Sequence, residues 1–229
     1  GATNGVKLSQ SDTNNILGNV IVENDRGVTL YQSDNNWIGS AIAGNLISGN
    51  AEYGVFQEYE AIQNFFQGNI IGPDEDGKAY PEDQAVGMRF LYASQNVIGG
   101  TSPGEGNLVS GNTGAGIWLS GGDGYLVQGN RIGINGPGTG SLPNGGAGIL
   151  VGNVSDSQIG GSNIIAYNLY GIQVDHPDAV HITITGNSIY ANHNEGISLA
   201  AGANGGISPP VITGLGSVLG TAPPNTLVD

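Results

Sequence analysis

The feature that most constrains the fold is a short unit that recurs eight times along the chain. Each copy begins with Gly and continues with alternating apolar and variable residues, as in "GVTL", "GIWL" and "GIQV". The copies begin at Gly5, Gly27, Gly54, Gly87, Gly116, Gly148, Gly171 and Gly196, with spacings of 22 to 33 residues. Self-similarity at such a period is typical of a solenoid, in which each repeat stacks only on its neighbours.

A second unit lies between the copies and contains a Gly-Asn pair or its equivalent, as in "GNLISGN" and "GNSIYAN". Its Asn recurs at Asn19, Asn45, Asn69, Asn107, Asn130, Asn163 and Asn187. Two residues later comes an apolar column of Ile21, Ile47, Ile71, Val109, Ile132, Ile165 and Ile189. A further apolar position, such as Ile16, Ile42, Phe66, Val127 or Ile184, falls three places before that Asn. Each period therefore predicts three short strands and three turns.

Alternation along the Gly-led strand predicts which side chains form the core. Its second and fourth positions are apolar in every copy except at Gln57, and alternate residues of a strand point to opposite faces. One unit cannot bury its own apolar face, but stacked coils about 4.8 Å apart can. The sequence therefore predicts an all-β solenoid of about eight coils and three parallel sheets. Gln57 should then be hydrogen-bonded inside the core, because an unsatisfied buried amide costs about 1–3 kcal/mol.

The recurring Asn residues have a structural interpretation. Asn tolerates the left-handed backbone conformation, and stacked side-chain amides can bond to the backbone and to the Asn one coil away. Each such bond contributes about 1 kcal/mol net. We interpret the column as an asparagine ladder that holds one turn of every coil.

Three motifs carry a resemblance to a known family: "NLISGN…GV", "NVIGGTSPGEGNLVSGN…GI" and "NRIGINGPGTGSLPNGGAGI". With them, the chain resembles the right-handed parallel β-helix repeat family, the fold of pectate lyases and related carbohydrate-active proteins. The resemblance implies right-handed coils over residues 1–208 and an extracellular or cell-surface setting. Because the family contains lyases, hydrolases, epimerases, adhesins and passive stalks, it does not imply one activity. Residues 209–229 resemble a Pro-rich linker followed by the possible first strand of an Ig-like module.

The net charge of the chain restricts the classes of molecule that it can bind. Five Lys and Arg residues stand against 19 Asp and Glu, which gives a net charge of −14. Nucleic acid is therefore excluded as an expected partner, and strong binding of an anionic polysaccharide would need a bridging metal. The absence of Cys fits an exported protein that needs no disulfides, and no apolar run reaches the length of a membrane span. We expect a glycan partner, no membrane insertion and other domains in a larger parent chain.

One outward column indicates a binding face. The third position of the Gly-led strand reads Lys7, Thr29, Phe56, Arg89, Trp118, Leu150, Gln173 and Ser198. Aromatic rings that face outward can stack on sugar rings, and charged groups beside them can bind hydroxyls. The candidate glycan-binding residues are Tyr31, Phe56, Glu58, Arg89, Tyr92 and Trp118. In a second interpretation, Phe56 and Trp118 only cover the stem of Arg89 by cation–π stacking.

Catalysis is the alternative to passive binding. A lyase needs a base, and a glycosidase needs two carboxyl groups beside the scissile bond. The candidate catalytic residues of a lyase, glycoside hydrolase or uronate epimerase are Glu58, Arg89 and Asp123. The segment "VDHPDAVH" superficially resembles the Asp-Pro-His-Glu element of alginate epimerases, but its residue order differs, and we interpret it as a polar turn. The preferred hypothesis is a non-catalytic secreted or cell-surface module, a rigid spacer or adhesin with a glycan-binding face.

An acidic insertion, "GPDEDGKAYPEDQAV", precedes the fourth Gly-led strand. Carboxylates are the oxygen ligands that Ca²⁺ prefers, although the spacing does not match an EF-hand loop. Asp74, Asp76 and Glu82 are the candidate calcium ligands. No other cofactor is expected.

Overall fold

In the computed structural model of the chain, each of the first seven coils contributes one strand to each of three parallel sheets, and the eighth contributes a strand to the first sheet. The structure describes residues 1–80, 83–206, 211–212 and 220–221. The first sheet holds the Gly-led strands in chain order, and the second and third sheets hold the two other strands of the first seven coils. The strands of the first sheet are β1 (Asn4–Ser9), β4 (Arg26–Tyr31), β7 (Tyr53–Glu58), β10 (Val86–Leu91), β13 (Ile117–Ser120), β16 (Ala147–Val151), β19 (Tyr170–Val174) and β22 (Ile197–Leu199).

The other two sheets contain seven strands each. The second sheet is formed by β2 (Asn15–Ile16), β5 (Trp37–Ile38), β8 (Phe65–Phe66), β11 (Val97–Gly99), β14 (Leu126–Gln128), β17 (Ser155–Gly160) and β20 (Val180–Ile184). The third sheet is formed by β3 (Val20–Val22), β6 (Leu46–Ser48), β9 (Ile70–Ile71), β12 (Leu108–Val109), β15 (Arg131–Ile132), β18 (Ile164–Ala166) and β21 (Ser188–Tyr190). The all-β, three-sheet solenoid predicted from the repeat is confirmed.

The end of the chain departs from the coil pattern. A short helix, α1 (Ala203–Gly206), follows the last coil, and β23 (Val211–Ile212) pairs antiparallel with β24 (Gly220–Thr221). Apart from these two strands, residues 207–229 lie outside the described residues. The predicted domain boundary after residue 208, the linker and the Ig-like strand therefore stay predictions.

The core lies between the sheets and follows the predicted columns. Val55, Met88 and Ile117 are in register on adjacent strands of the first sheet, and all three are fully buried. One column was assigned wrongly in the second coil. Ile42 is 96% exposed, because a turn at residues 40–44 lengthens this coil, and Ile38 takes the inward place beside Ile16.

Amide ladders hold all three corners of the solenoid. The predicted ladder between the second and third sheets is present from Asn19 to Asn187, with each side-chain Nδ2 donating to the Oδ1 one coil further on. A second continuous ladder, between the third and first sheets, contains Asn24, Asn50, Gln84, Asn112, Asn144, Asn168 and Asn192. A shorter one between the first and second sheets contains Asn14, Asn36, Asn64 and Asn96.

Gln57 behaves as its position in the core column requires. It is fully buried, and its Nε2 donates to the carbonyl of Ala61 at 2.5 Å and to Asn96 Oδ1 at 3.0 Å. The buried amide is hydrogen-bonded through its Nε2, as predicted, whereas its Oε1 has no hydrogen-bond partner among the described residues. The inward position of Gln57 confirms the register of the third coil.

Tyr125 provides a prediction on pH. Its ring is 1% exposed, its hydroxyl donates to the Gly121 carbonyl at 3.0 Å, and burial raises the pKa of the phenol above its ordinary value. A raised pKa in the folded state stabilises the fold fully below the unfolded value of about 10 and less as the pH rises beyond it. We expect the free energy of unfolding to fall between pH 9 and pH 11, by less in Tyr125→Phe. Urea titrations at both pH values measure this, and an equal fall in both proteins would contradict it.

Candidate glycan-binding face

Trp118 lies on the outward face of the first sheet, as the alternation predicts. Ile117 and Leu119 on either side are buried, whereas Trp118 is half-buried. Arg89 is in register with Phe56 on β7 and with Trp118 on β13. The three outward side chains therefore occupy successive coils in the predicted order.

A stack of rings and guanidinium groups forms the middle of this face. The guanidinium of Arg89 lies 4.0 Å from the centroid of the Trp118 ring, and its Nη1 donates to the Tyr53 hydroxyl at 2.8 Å. The Tyr53 ring stacks on Phe56 at 4.8 Å between centroids, and the guanidinium of Arg26 lies 4.7 Å from the Phe56 centroid. Trp118 therefore covers Arg89, as the second interpretation states, but the other ring on Arg89 is Tyr53, and Phe56 contacts Arg26 instead.

Phe56 differs from the expectation that its ring is open to solvent. The side chain points outward but is only 5% exposed, because Tyr53 and Arg26 cover it. Both covering residues precede the Gly of their units, so they lie outside the alternating column from which the face was deduced. A ligand at this face meets Trp118 before it meets Phe56.

The exposed rings of this face lie at one end of the strands. We call Tyr31, Tyr59 and Tyr92 the tyrosine edge. Tyr59 and Tyr92 are 51% and 60% exposed, Tyr31 is half-buried, and the rings of Tyr31 and Tyr59 are 5.7 Å apart. Tyr59 and Tyr92 have φ angles of +52° and +51°, a conformation that bulky residues rarely adopt. The backbone at these two positions therefore sets the direction of the Cα–Cβ bonds from which the rings project.

The candidate catalytic residues are not joined by any contact. Glu58 is half-buried at the end of β7, and Asp123 is exposed beyond the end of β13, where its backbone N–H donates to Ser94 Oγ. Within the part of the chain that the structure describes, Arg89 forms no ion pair with either carboxylate. Their catalytic role stays a prediction.

The acidic insertion forms a turn. Asp74 Oδ1 accepts the backbone N–H groups of Asp76 and Lys78, and the Lys78 ammonium lies 2.9 Å from Asp76 Oδ2, which raises the pKa of this lysine. Glu82 lies outside the described residues. Among the described residues, no three His, Cys, Asp or Glu side chains are placed to hold a metal ion together.

Residues 175–179 of the segment "VDHPDAVH" form the turn between β19 and β20, whereas Val174 ends β19 and His181 lies in β20. His176 Nδ1 accepts the backbone N–H of Asp178, and His181 Nδ1 lies 2.9 Å from Asp156 Oδ1. These contacts are local or exposed, as expected of a polar turn.

Comparison with known protein families shows which family the chain belongs to. Residues 87–215 match the family described as "Right handed beta helix region", and residues 2–145 match the family described as "Periplasmic copper-binding protein (NosD)". Each match covers more than half of the chain. The chain belongs to these right-handed β-helix families. No curated protein sequence matches it.

Solved structures agree on the fold of this β-helix. A double mutant of the periplasmic alginate epimerase AlgG matches with a TM-score of 0.69 and 18% identity, over 86% of this chain and 44% of that one. AlgG without substitutions matches with a TM-score of 0.67 and 16% identity, over 86% of this chain and 47% of that one. The β-helix thus spans less than half the length of these structures, and at such identities the likeness concerns the fold. No helix in the described ranges is long and apolar enough to cross a membrane.

The donor groups of this β-helix do not fit a copper site. Copper prefers Cys, Met and His ligands. The segment that matches the copper-binding family contains no Cys and no His, and its Met, Met88, is fully buried in the core. The three His residues, His176, His181 and His193, all follow that segment.

Proposed function

We propose that this β-helix is a non-catalytic module outside the cytoplasm that binds a polysaccharide along the tyrosine edge, with the coil stack as a rigid spacer. The observation that carries the proposal is the row of tyrosine rings projecting from successive coils at one edge of the sheet. The word "periplasmic" in the names of both NosD and AlgG supports the location, and the alginate substrate named for AlgG supports a polysaccharide ligand.

The geometry of the edge suits an extended glycan. Tyr59 and Tyr92 follow in-register residues of β7 and β10, so they stand about one strand spacing, roughly 4.8 Å, apart. Each unusual φ angle costs on the order of 1–3 kcal/mol, and the surrounding fold compensates for this cost. A backbone that is fixed before binding loses little conformational entropy when a ligand stacks on the rings that it carries. A sugar chain running along the solenoid axis would contact these rings in turn.

The charges near the edge favour a neutral or amino-substituted glycan. Glu58 and Glu60 adjoin Tyr59 in the chain, and their carboxylates can accept hydrogen bonds from hydroxyl or ammonium groups. The two guanidinium groups in the middle of this face are already engaged, Arg89 by Tyr53 and Trp118, and Arg26 by Glu52 and Phe56. A run of uronate groups would therefore meet carboxylates at this edge, not a free cation.

Ring removal at the edge tests the proposal. We expect Tyr59→Ala and Tyr92→Ala each to weaken binding of a neutral oligosaccharide by about 1–2 kcal/mol, because each ring loses some 50–80 Å² of apolar contact area. The measurement is calorimetric titration of a ligand found on a glycan array. The matched control is Tyr190→Ala, an exposed tyrosine of the third sheet. An equal loss in the control, or no glycan bound by the unaltered protein, would contradict the proposal.

A polysaccharide lyase, hydrolase or epimerase acting through Glu58, Arg89 and Asp123 is the second candidate. The fold that this β-helix shares with AlgG favours this second candidate. Release or alteration of sugar residues by the purified chain is the observation that would establish it.

A further inference from the structure

Two insertions meet on the third-sheet side of the molecule. One follows β9 and the other follows β15, and they approach each other past the intervening coil that contains β12. The backbone N–H of Gly136 donates to the carbonyl of Gly77 at 2.8 Å. A Cβ atom on Gly77 would lie 2.1 Å from Gly136 Cα, so the contact requires glycine. The two insertions are therefore joined by a built contact.

The joined insertions form one wall of a cleft of about 320 Å³. Ile70 and Leu108, in register on β9 and β12 and adjacent to the inward-facing Ile71 and Val109, form its apolar lining. Backbone at Gly68 and Gly106, the residues before two ladder Asn residues, forms the opposite rim. The volume is that of a small-molecule site. Beside this apolar surface, the lining contains the polar side chains of Asn69, Glu75, Asp76 and Arg131.

Arg131 is the cation of this cleft. It is in register with Leu108 and half-buried, and its Nη2 donates to the carbonyls of Asn135 and Gly136. Its Nε and Nη1 have no hydrogen-bond partner among the residues that the structure describes. Arg26 and Lys78, in contrast, pair with carboxylates, and Arg89 stacks on Trp118. The guanidinium of Arg131 is thus held in place with donors still available.

We propose that this cleft binds a single uronic acid residue. Its carboxylate would accept hydrogen bonds from Arg131, whose planar donor group suits a carboxylate. One face of the sugar ring would contact Ile70 and Leu108, and Glu75 and backbone groups would bind its hydroxyls. The Asp76 carboxylate also lines the cleft, but it is paired with the ammonium of Lys78. Because the net charge of −14 opposes a long polyanion, the ligand is one acidic residue in a largely neutral glycan. The site lies on another sheet from the tyrosine edge and does not rest on it.

The probe is glucuronate, with glucose and acetate as matched controls, and the signal is the ¹H–¹⁵N resonance of Arg131 Nε. The chain has three Arg residues, and Arg131→Lys assigns this resonance by its disappearance. We expect glucuronate to shift it saturably with millimolar affinity, acetate to bind at least tenfold more weakly, and glucose to leave it unchanged.

Two variants of opposite effect complete the test, with binding followed through the backbone amide resonances of Gly106 and Gly136. Arg131→Gln should weaken glucuronate binding at least tenfold. Glu75→Gln should tighten it about two- to fivefold, because it removes a like charge at the surface. An unchanged affinity in Arg131→Gln with its fold intact, an equal response to glucose, or equal affinity for acetate would overturn the proposal. If Arg131→Gln does not fold, the Glu75→Gln variant decides the question. An affinity for glucuronate that is not tighter in Glu75→Gln would overturn the proposal.

Discussion

Replacing Asn107 by Ala should lower the free energy of unfolding by about 3–5 kcal/mol. Asn107 is fully buried in the middle of the ladder between the second and third sheets. Its Oδ1 accepts both the backbone N–H and the Nδ2 of Asn69, and its Nδ2 donates to the Phe66 carbonyl and to Asn130 Oδ1. Each buried group left without a partner costs about 1–3 kcal/mol, and bonds in a chain strengthen one another. Urea unfolding followed by circular dichroism measures the change.

Asn19→Ala is the matched control for this prediction. Asn19 begins the same ladder but is exposed, so water can replace the bonds that it makes to Asn45 and to the Leu17 carbonyl. We expect a loss of about 1 kcal/mol or less. Equal losses in Asn19→Ala and Asn107→Ala would mean that burial of the ladder does not stabilise the coils.

Leu119→Ala should cost about 2–5 kcal/mol, whereas Trp118→Ala, one residue away, should cost about 1 kcal/mol. Leu119 is 1% exposed in the core, and its truncation leaves a cavity that the neighbouring coils cannot fill. Truncation of Trp118 removes its outward contact with Arg89, and a half-buried cation–π contact is worth about 0.5–2 kcal/mol. The same unfolding experiment measures both. A larger loss of stability in Trp118→Ala than in Leu119→Ala would mean that the indole lies in the core and that the assigned register of β13 is wrong by one residue.

The sequence predicts the coils well because their signal repeats. Columns that recur in nearly every coil place Ile117 and Leu119 inward and Trp118 outward. A shift of one residue would expose the apolar columns. The ladder through Asn112 and Asn144 was also visible, since "GNLISGN" and "GNSIYAN" carry a second Asn five residues after the first. The repeat does not predict it as a continuous column, because Gln84 replaces one Asn and the acidic insertion displaces Gln84 in the sequence.

What the repeat does not encode could not be predicted. Ile42 has the spacing of a core residue, but the length of one turn decides its position, and turn lengths vary from coil to coil. The cover over Phe56 depends on the side-chain rotamers of Arg26 and Tyr53, which alternation does not specify. The contact between Gly77 and Gly136 joins insertions that are distant in sequence. No local pattern relates them.

The central claim, that this β-helix binds a glycan without altering it, is tested most directly by nuclear magnetic resonance of a glycan panel incubated with the chain. Neutral, amino-substituted and uronate oligosaccharides are each followed for line broadening and for new anomeric signals, with and without Ca²⁺. The account predicts broadening of a neutral or amino-substituted glycan that is reduced in Tyr59→Ala and Tyr92→Ala, and no new signals in any sample. New reducing ends, unsaturated products or epimerised residues would contradict it and identify an enzyme.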